Sequence, residues 1–407
     1  MTILIAGGGI GGLTLALSLQ ERGIPCIVLE AASEVRPLGV GINTLPHAIR
    51  ELAALGLLPA LDACAIRTRE LRYLNRFGQG IWTEPRGIFA GHDMPQFSVH
   101  RGHLQSLLWQ AARERLGEAI QPAARLAGFR QDADGVSVTL ADGRVLHGDV
   151  LVGADGVHST VRRALHPDDG GLRWNGIQMW RGAVDWPAYE GGDTMAIAGD
   201  MVEKLVLYPI ARGSGTGRRL TNWVICVRIG DGSAPPPRRE DWSRPGQLEE
   251  LLPHVRRFRL PFLDVEALVR ATPEFFEYPM CDRDPLPWWT QGRVTLLGDA
   301  AHPMYPVGSN GASQAILDAR ALAALLAEQP ATAALAAYDA ARRPPTAAIV
   351  AANRKGGPER IVDFVSARAP DGFARLEDVA SHEELAAIAG GYAAMAGFAV
   401  SPAAAGN

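Results

Sequence analysis

The chain has 407 residues, 47% of them hydrophobic, and a formal net charge of -4. That supplies a large core and suits two domains, and no internal repeat suggests a solenoid. The weakly acidic balance offers no basic field for nucleic acid.

Ile3 to Leu19 is uncharged, but it has no basic flank and is interrupted by five glycines, so it reads as neither a signal nor a membrane span. Cys26, Cys64, Cys226 and Cys281 show no C-x-x-C spacing, which fits reduced thiols in a cytoplasmic protein.

The chain opens on a short apolar strand entering G-x-G-x-x-G at Gly7, Gly9 and Gly12, followed by a helical run that stops near Gly23. A tight turn, room for a pyrophosphate and close helix-on-strand packing are what that spacing provides. The acidic residue expected about 20 positions on, closing a second strand, is Glu30 at the end of IPCIVLE. Arg36 to Asn43 (RPLGVGIN) is a glycine-bearing loop, either a backbone wall against a flat ring or a connector, and Pro46 to Leu57 reads as a helix. Leu71 to Phe97 suggests a β-hairpin. Ser98 to Gly117 is an amphipathic helix with Arg101 at its start, placed to reach a phosphate or ring carbonyl or else simply exposed.

A hairpin around Ala141, Asp142 and Gly143 feeds the strand Asp149 to Gly153, then Asp155 and Gly156. That loop either serves a cofactor's linker or caps the next helix. From Leu172 to Tyr278 short β-like runs alternate with Gly-rich loops, and Ser233 to Gly246 is too rich in proline and charge for regular structure. Ala211 to Arg219 reads as a mobile hairpin tip. Arg293 to Asp318 (RVTLLGDAAHPMYPVGSNGASQAILD) is a strand, two glycine-bearing loops and a helix start, which together form a cradle for an anionic group. Ala321 to Asn353 is Ala- and Leu-rich helix, and Phe364 to Asn407 is weakly helical and prone to fray.

Gly7-x-Gly9-x-x-Gly12 with Glu30, the Asp155-Gly156 loop, and Gly298-Asp299-Ala-Ala-His302-Pro303 resemble the three ordered motifs of the single-component flavoprotein aromatic hydroxylases, over residues 1 to 355. The texture of RPLGVGIN, MWRG and MYPVGSNGASQAILD is most similar to the phenazine-carboxylate monooxygenase subfamily. The resemblance implies an α/β fold: a Rossmann-like FAD-binding domain (1–70, 98–171 and 279–355) interleaved with a mostly antiparallel β-sheet substrate domain (71–97 and 172–278), then a helical tail (356–407).

It also implies roles. Gly7, Gly9, Gly11 and Gly12 with the first helix would hold the FAD pyrophosphate, Glu30 the adenosine ribose, and Arg101 the linker region. Gly298 and Asp299 would face the ribityl and pyrophosphate side, and Asp155 with Gly156 would serve FAD and a visiting NADPH or NADH. Pro306, Gly308, Asn310 and Gly311 would line the flavin edge. His302 takes a structural place beside the cofactor.

The implied reaction reduces FAD with the nicotinamide, then uses O2 through a flavin C4a-hydroperoxide to hydroxylate a planar aromatic or heteroaromatic molecule, with or without loss of a carboxylate. The alternatives are an epoxidase or oxidase of a non-aromatic natural product and a non-catalytic flavin-binding protein. On the substrate side, Trp180, Trp223 and Tyr305 are pocket candidates. Arg181 is either a carboxylate clamp or a structural ion pair, and Tyr208 a phenol that could orient or deprotonate a hydroxyl. No metal is expected, and the protein is expected to be a monomer or homodimer.

Overall fold

The computed structural model describes residues 1–34, 40–200, 202–236, 244–397 and 399. A five-stranded parallel sheet runs in the order Val294–Leu296, Val150–Gly153, Ile3–Ala6, Cys26–Leu29, Ile120–Gln121. Every residue of the strands Ile3–Ala6 and Val150–Gly153 is buried, as in a parallel sheet with layers on both faces. The helices Ile10–Glu21 and Gly311–Glu328 pack on each other beside it. The pairing brings residues almost 300 positions apart into one sheet, separated by one strand: Leu4 lies opposite Leu151, and Leu151 opposite Val294.

The second sheet has seven strands, in the order Phe275–Asp282, Arg173–Pro187, Arg218–Arg228, Glu203–Arg212, Thr194–Gly199, Glu70–Leu74, Gly80–Pro85. It is antiparallel except where Thr194–Gly199 runs parallel to Glu70–Leu74. The expected hairpins over 71–97 and 135–148 both form, as Glu70–Leu74 with Gly80–Pro85 and Val136–Leu140 with Val145–Gly148. Phe97–His100, however, leaves the first hairpin for a small sheet with Gly41–Thr44 and Ile66–Arg67.

The helix expected over 321–353 is two helices, Gly311–Glu328 and Ala331–Arg354, broken at Pro330. The tail contains Arg360–Arg368 and His382–Met395, the latter started by a capping box between Ser381 and Glu384. Leu385 and Tyr392 are buried, so this helix is packed where fraying was expected. The hairpin tip near Ser214 is tied down by Asp185, which accepts from the Ser214 hydroxyl and from Arg218 Nε at 2.9 Å. Residues 36–39, 237–243 and 400–407, which carry parts of three loop and tail expectations, lie outside the described residues. All four cysteines are free thiols. Among the described residues no helix is long and apolar enough to cross a membrane.

Candidate active site

Three strand ends meet at one edge of the parallel sheet, where ligands of open α/β sheets bind. The turns that leave them are stitched together: Gly7 N donates to Leu29 O (2.8 Å), Ala154 N to Ala6 O (2.8 Å), and Leu297 N to Gly153 O (2.9 Å). Gly7 has φ of 108°, and a Cβ there would come within 2.3 Å of Ala154 O. A Cβ on Gly12 would come within 2.0 Å of Gly7 O, whereas one on Gly9 would meet nothing within 4 Å. Gly9 therefore faces open space at the start of the helix Ile10–Glu21, which has no side-chain cap and no acid in its first turn. Its free amides and dipole suit a pyrophosphate.

Glu30 sits on the same turn. Its carboxylate accepts from Gly8 N and from Ala32 N, both at 2.7 Å, while Gln105 Nε2 donates to Gly8 O at 3.0 Å. Asp299 and Arg101 are exposed on the cleft, and neither side chain has a hydrogen bond or ion pair among the described residues. They are open charges facing the cradle. Replacing Asp299 by alanine is expected to weaken FAD retention by about tenfold or more, the effect of losing hydrogen bonds to a charged acceptor. Flavin absorbance per protein after gel filtration measures it, and an unchanged yellow complement would remove Asp299 from the cofactor site.

Asp155 lines the cleft and is engaged with the helix that follows it. Its carboxylate accepts from the Ser159 hydroxyl and from the amides of Thr160 (2.7 Å) and Val161 (3.3 Å), so its side chain caps the helix Thr160–Leu165. Burial pushes its pKa up, against those hydrogen bonds. Gly156, with φ of 76°, turns the backbone along the cleft wall.

The Gly298-to-Pro303 loop is held from behind by groups that sequence reading did not single out. Arg162 is 1% exposed, pairs with Asp169 at 2.6 Å, and donates to Ala300 O (3.2 Å) and Ala301 O (3.0 Å). Asp318, fully buried, accepts from Gly298 N (3.2 Å), His302 Nε2 (2.5 Å) and Arg342 Nε (2.7 Å). Burial works against its charge, but His302 and Arg342 outweigh it and hold the carboxyl below its usual range. His302 is thus committed to the fold. Asn310 is buried too: its amide donates to Gly308 O (3.1 Å) and Tyr392 Oη (2.8 Å), fixing the loop that begins at Pro306.

The second sheet faces this cradle with alternate residues of its strands. Met179 and Arg181 of one strand and Tyr208 of another line the cleft, and Tyr305 meets them from the loop after Pro303. Trp180 and Trp223 point the other way, a correction to their expected place in the pocket. Trp180 stacks near His254 and Trp223 donates to Thr272 Oγ1 at 2.8 Å, both in the apolar cluster behind the sheet.

Arg181 and Tyr208 are both bonded within the protein, Arg181 in a structural role without an ion pair. Arg181 Nη2 donates to Gly41 O (2.6 Å) and Nη1 to Tyr278 Oη (3.0 Å), Tyr208 Oη donates to the same carbonyl (2.7 Å), and Gly41 N donates to Asn222 Oδ1 (2.8 Å). Arg181 pairs with no carboxylate among the described residues. Burial raises the Tyr208 pKa, with Arg181 only partly opposing, so the phenol keeps its proton and is not poised as a base. Both residues hold the Gly41 strand against the cleft. Arg181→Met is therefore expected to impair carboxylated and uncharged ring substrates by the same factor, and a loss confined to carboxylated ones in kcat/KM would restore a clamp role.

The cleft between cradle and sheet is about 620 Å³, lined by Gly9, Gly11, Arg101, Asp299 and Gly311 on one side and Met179, Phe276, Tyr278 and Tyr305 on the other. A second concavity of about 600 Å³ is made by Val255 to Glu266 and shares no residue with the motifs.

Residues 1–353 match the family model described as FAD binding domain. The chain is 49% identical over 363 residues to phenazine 1,6-dicarboxylic acid hydroxylase of Lysobacter antibioticus, covering 86% of this chain and 89% of that protein. It is 33% identical over 360 residues to 3-hydroxybenzoate 6-hydroxylase 1 of Aquipseudomonas alcaligenes, covering 85% and 86%. Its fold is similar to that of Klebsiella pneumoniae HpxO complexed with FAD and uric acid, with a TM-score of 0.76 at 25% identity, covering 98% and 97%. The ordered motifs, the open cradle where they converge and these likenesses agree: the chain belongs to the FAD-binding group A monooxygenase family.

Proposed function

We propose that the chain hydroxylates a planar aromatic or heteroaromatic acid held against the sheet side of the cleft, drawing on NADH or NADPH and O2. The protein is an FAD-dependent aromatic monooxygenase. The observation that carries the substrate reading is the cleft's two-sided lining: a polar, glycine-rich cradle opposite an apolar aromatic wall. Relatives named for acting on phenazine 1,6-dicarboxylic acid and 3-hydroxybenzoate support a ring that bears a carboxylate.

FAD, when bound, supplies the redox chemistry and the activation of O2. The chain's own part is to bind, orient and exclude water. The uncapped start of Ile10–Glu21 and the Asp299 carboxylate would hold the cofactor's polar length. The helix Gly311–Glu328 has no side-chain cap and no acid in its first turn, so its amides would stabilise negative charge on a reduced ring system. Met179, Phe276, Tyr278 and Tyr305 would pack on the substrate ring and keep water away.

The test is NADH and NADPH oxidation by the purified flavoprotein with a panel of phenazine, hydroxybenzoate and quinoline carboxylates. At least one is expected to accelerate oxidation severalfold over the ligand-free rate. If no ring acid does so while the flavin stays bound, the substrate reading is wrong.

A further inference from the structure

Behind the loop at Gly308 and Ser309, between the sheet edge and the C-terminal helix His382–Met395, lies a third, small space of about 30 Å³. It adjoins the cleft, since Ser309 lines both. Its walls are mainly apolar, with Leu45, Leu71, Met195 and Ile197. Against that lining stand Tyr73, Glu84, Arg86, Gln96 and Glu359, the last held by an ion pair to Lys204.

Arg86 Nη2 pairs with Glu84 Oε2 at 2.6 Å, the two side chains being 13% and 19% exposed. Tyr73 is fully buried. Arg86 lies within reach of the Tyr73 oxygen, yet neither Tyr73 Oη nor Arg86 Nε, both buried, has a partner in full hydrogen-bond geometry. Buried donors left unmet are costly and uncommon, so such a pair calls for an acceptor. Burial raises the Tyr73 pKa, so the phenol keeps its proton and acts as a donor.

Resting on the function proposed above, we infer that Tyr73 and Arg86 form the substrate-recognition end of the active site and donate to the carboxylate of the aromatic acid. The space admits a substituent and no ring, so the ring lies on the cleft side of Ser309 and only its polar end reaches in. Glu84 plays the supporting part: it neutralises the arginine when no ligand is present and fixes one edge of the guanidinium, leaving Nε for the ligand. The other arginines of the cleft do not serve. Arg181 is committed to Gly41 and Tyr278, and Arg101 stands on the cradle side. The competing occupant is a single ordered water, for which the volume also suffices.

The experiment uses the full chain carrying its flavin and reads Kd from the change in flavin absorbance on titration with phenazine-1-carboxylate and with unsubstituted phenazine. Tyr73→Phe removes one hydroxyl and keeps the ring that packs the core. It is expected to weaken the carboxylate about tenfold, as for a hydrogen bond to a charged group, and to change phenazine less than twofold. Arg86→Lys is expected to show the same selectivity. An equal loss for both ligands, or none for either, would mean that the donors serve a buried water and would overturn the inference. If no ring acid binds the wild-type protein or speeds its nicotinamide oxidation, the functional reading fails and this one with it. A wild type that responds to the acid, with an unchanged Tyr73→Phe ratio, overturns this inference alone.

Discussion

Gly12→Ala is expected to yield protein without bound flavin and less stable by about 3 kcal/mol or more, the upper range for overpacking that a flexible side chain cannot relieve. The added carbon would stand 2.0 Å from the carbonyl oxygen of Gly7, so backbone must move at the turn between the first strand and its helix. That turn is also joined to the Ala154 side of the sheet, where Gly7 itself leaves no room for a Cβ, so the shift spreads into the neighbouring strand end. Gly9→Ala is the informative contrast. Its Cβ would meet nothing within 4 Å, so thermal stability should stay within about 0.5 kcal/mol of wild type while flavin binding falls, because the methyl occupies the space opened for the ligand. Melting temperature and flavin content, measured together on both variants, separate the two effects. Full flavin content in Gly12→Ala would place the cofactor elsewhere.

The second large effect is expected at Asp318. Asp318→Asn keeps the shape but removes the charge that His302 and Arg342 share, leaving Arg342 beside an uncharged amide in a buried site. Breaking a buried pair in this way costs about 3–5 kcal/mol. The loop from Gly298 to Pro303 should loosen first, since Asp318 also receives the Gly298 amide. The pH dependence has a definite sign. Asp318 has its pKa lowered in the folded chain, so its contribution is fully present above the ordinary carboxyl range and is lost as pH falls through the lower folded value. Wild type should therefore lose stability on acidification below about pH 4, and the Asn variant should show a shallower loss over the same range. Parallel acid-unfolding curves for the two proteins would rule out a stabilising Asp318 charge.

The cofactor half of the site was legible because its signals are backbone signals. Glycine spacing, an acidic residue closing a strand and a helix start after a loop constrain φ, ψ and close approach locally, and Gly7, Gly9, Gly12 and the 298–311 stretch fall where those constraints put them. The supports were not legible because they are long-range. Nothing near Arg162 in sequence marks it as the residue under Ala300 and Ala301, and Tyr392 sits 82 positions from the Asn310 amide it accepts. The substrate side failed for another reason: a strand's alternation says which residues share a face but not which face looks at the cofactor. Trp180 and Arg181 are neighbours on one strand, and choosing both as lining residues guaranteed that one was wrong. Arg181 itself was read by its charge, whereas in the fold it donates to the Gly41 carbonyl and the Tyr278 hydroxyl. Arg86 and Tyr73 lie on the two sides of the hairpin expected from the sequence, but the apolar space they face is closed in by Met195 and Ile197 of the parallel-paired strand and by the C-terminal helix, which nothing local announces.

The most direct test of the central claim is to supply 18O2 to the flavoprotein with NADPH and a phenazine or hydroxybenzoate carboxylate and to follow the product by mass spectrometry. A product that gains one labelled oxygen atom on the ring, formed in step with nicotinamide oxidation, is the predicted result. Oxidation that yields only peroxide with every ring acid tried, or a product oxygen drawn from water, would contradict it.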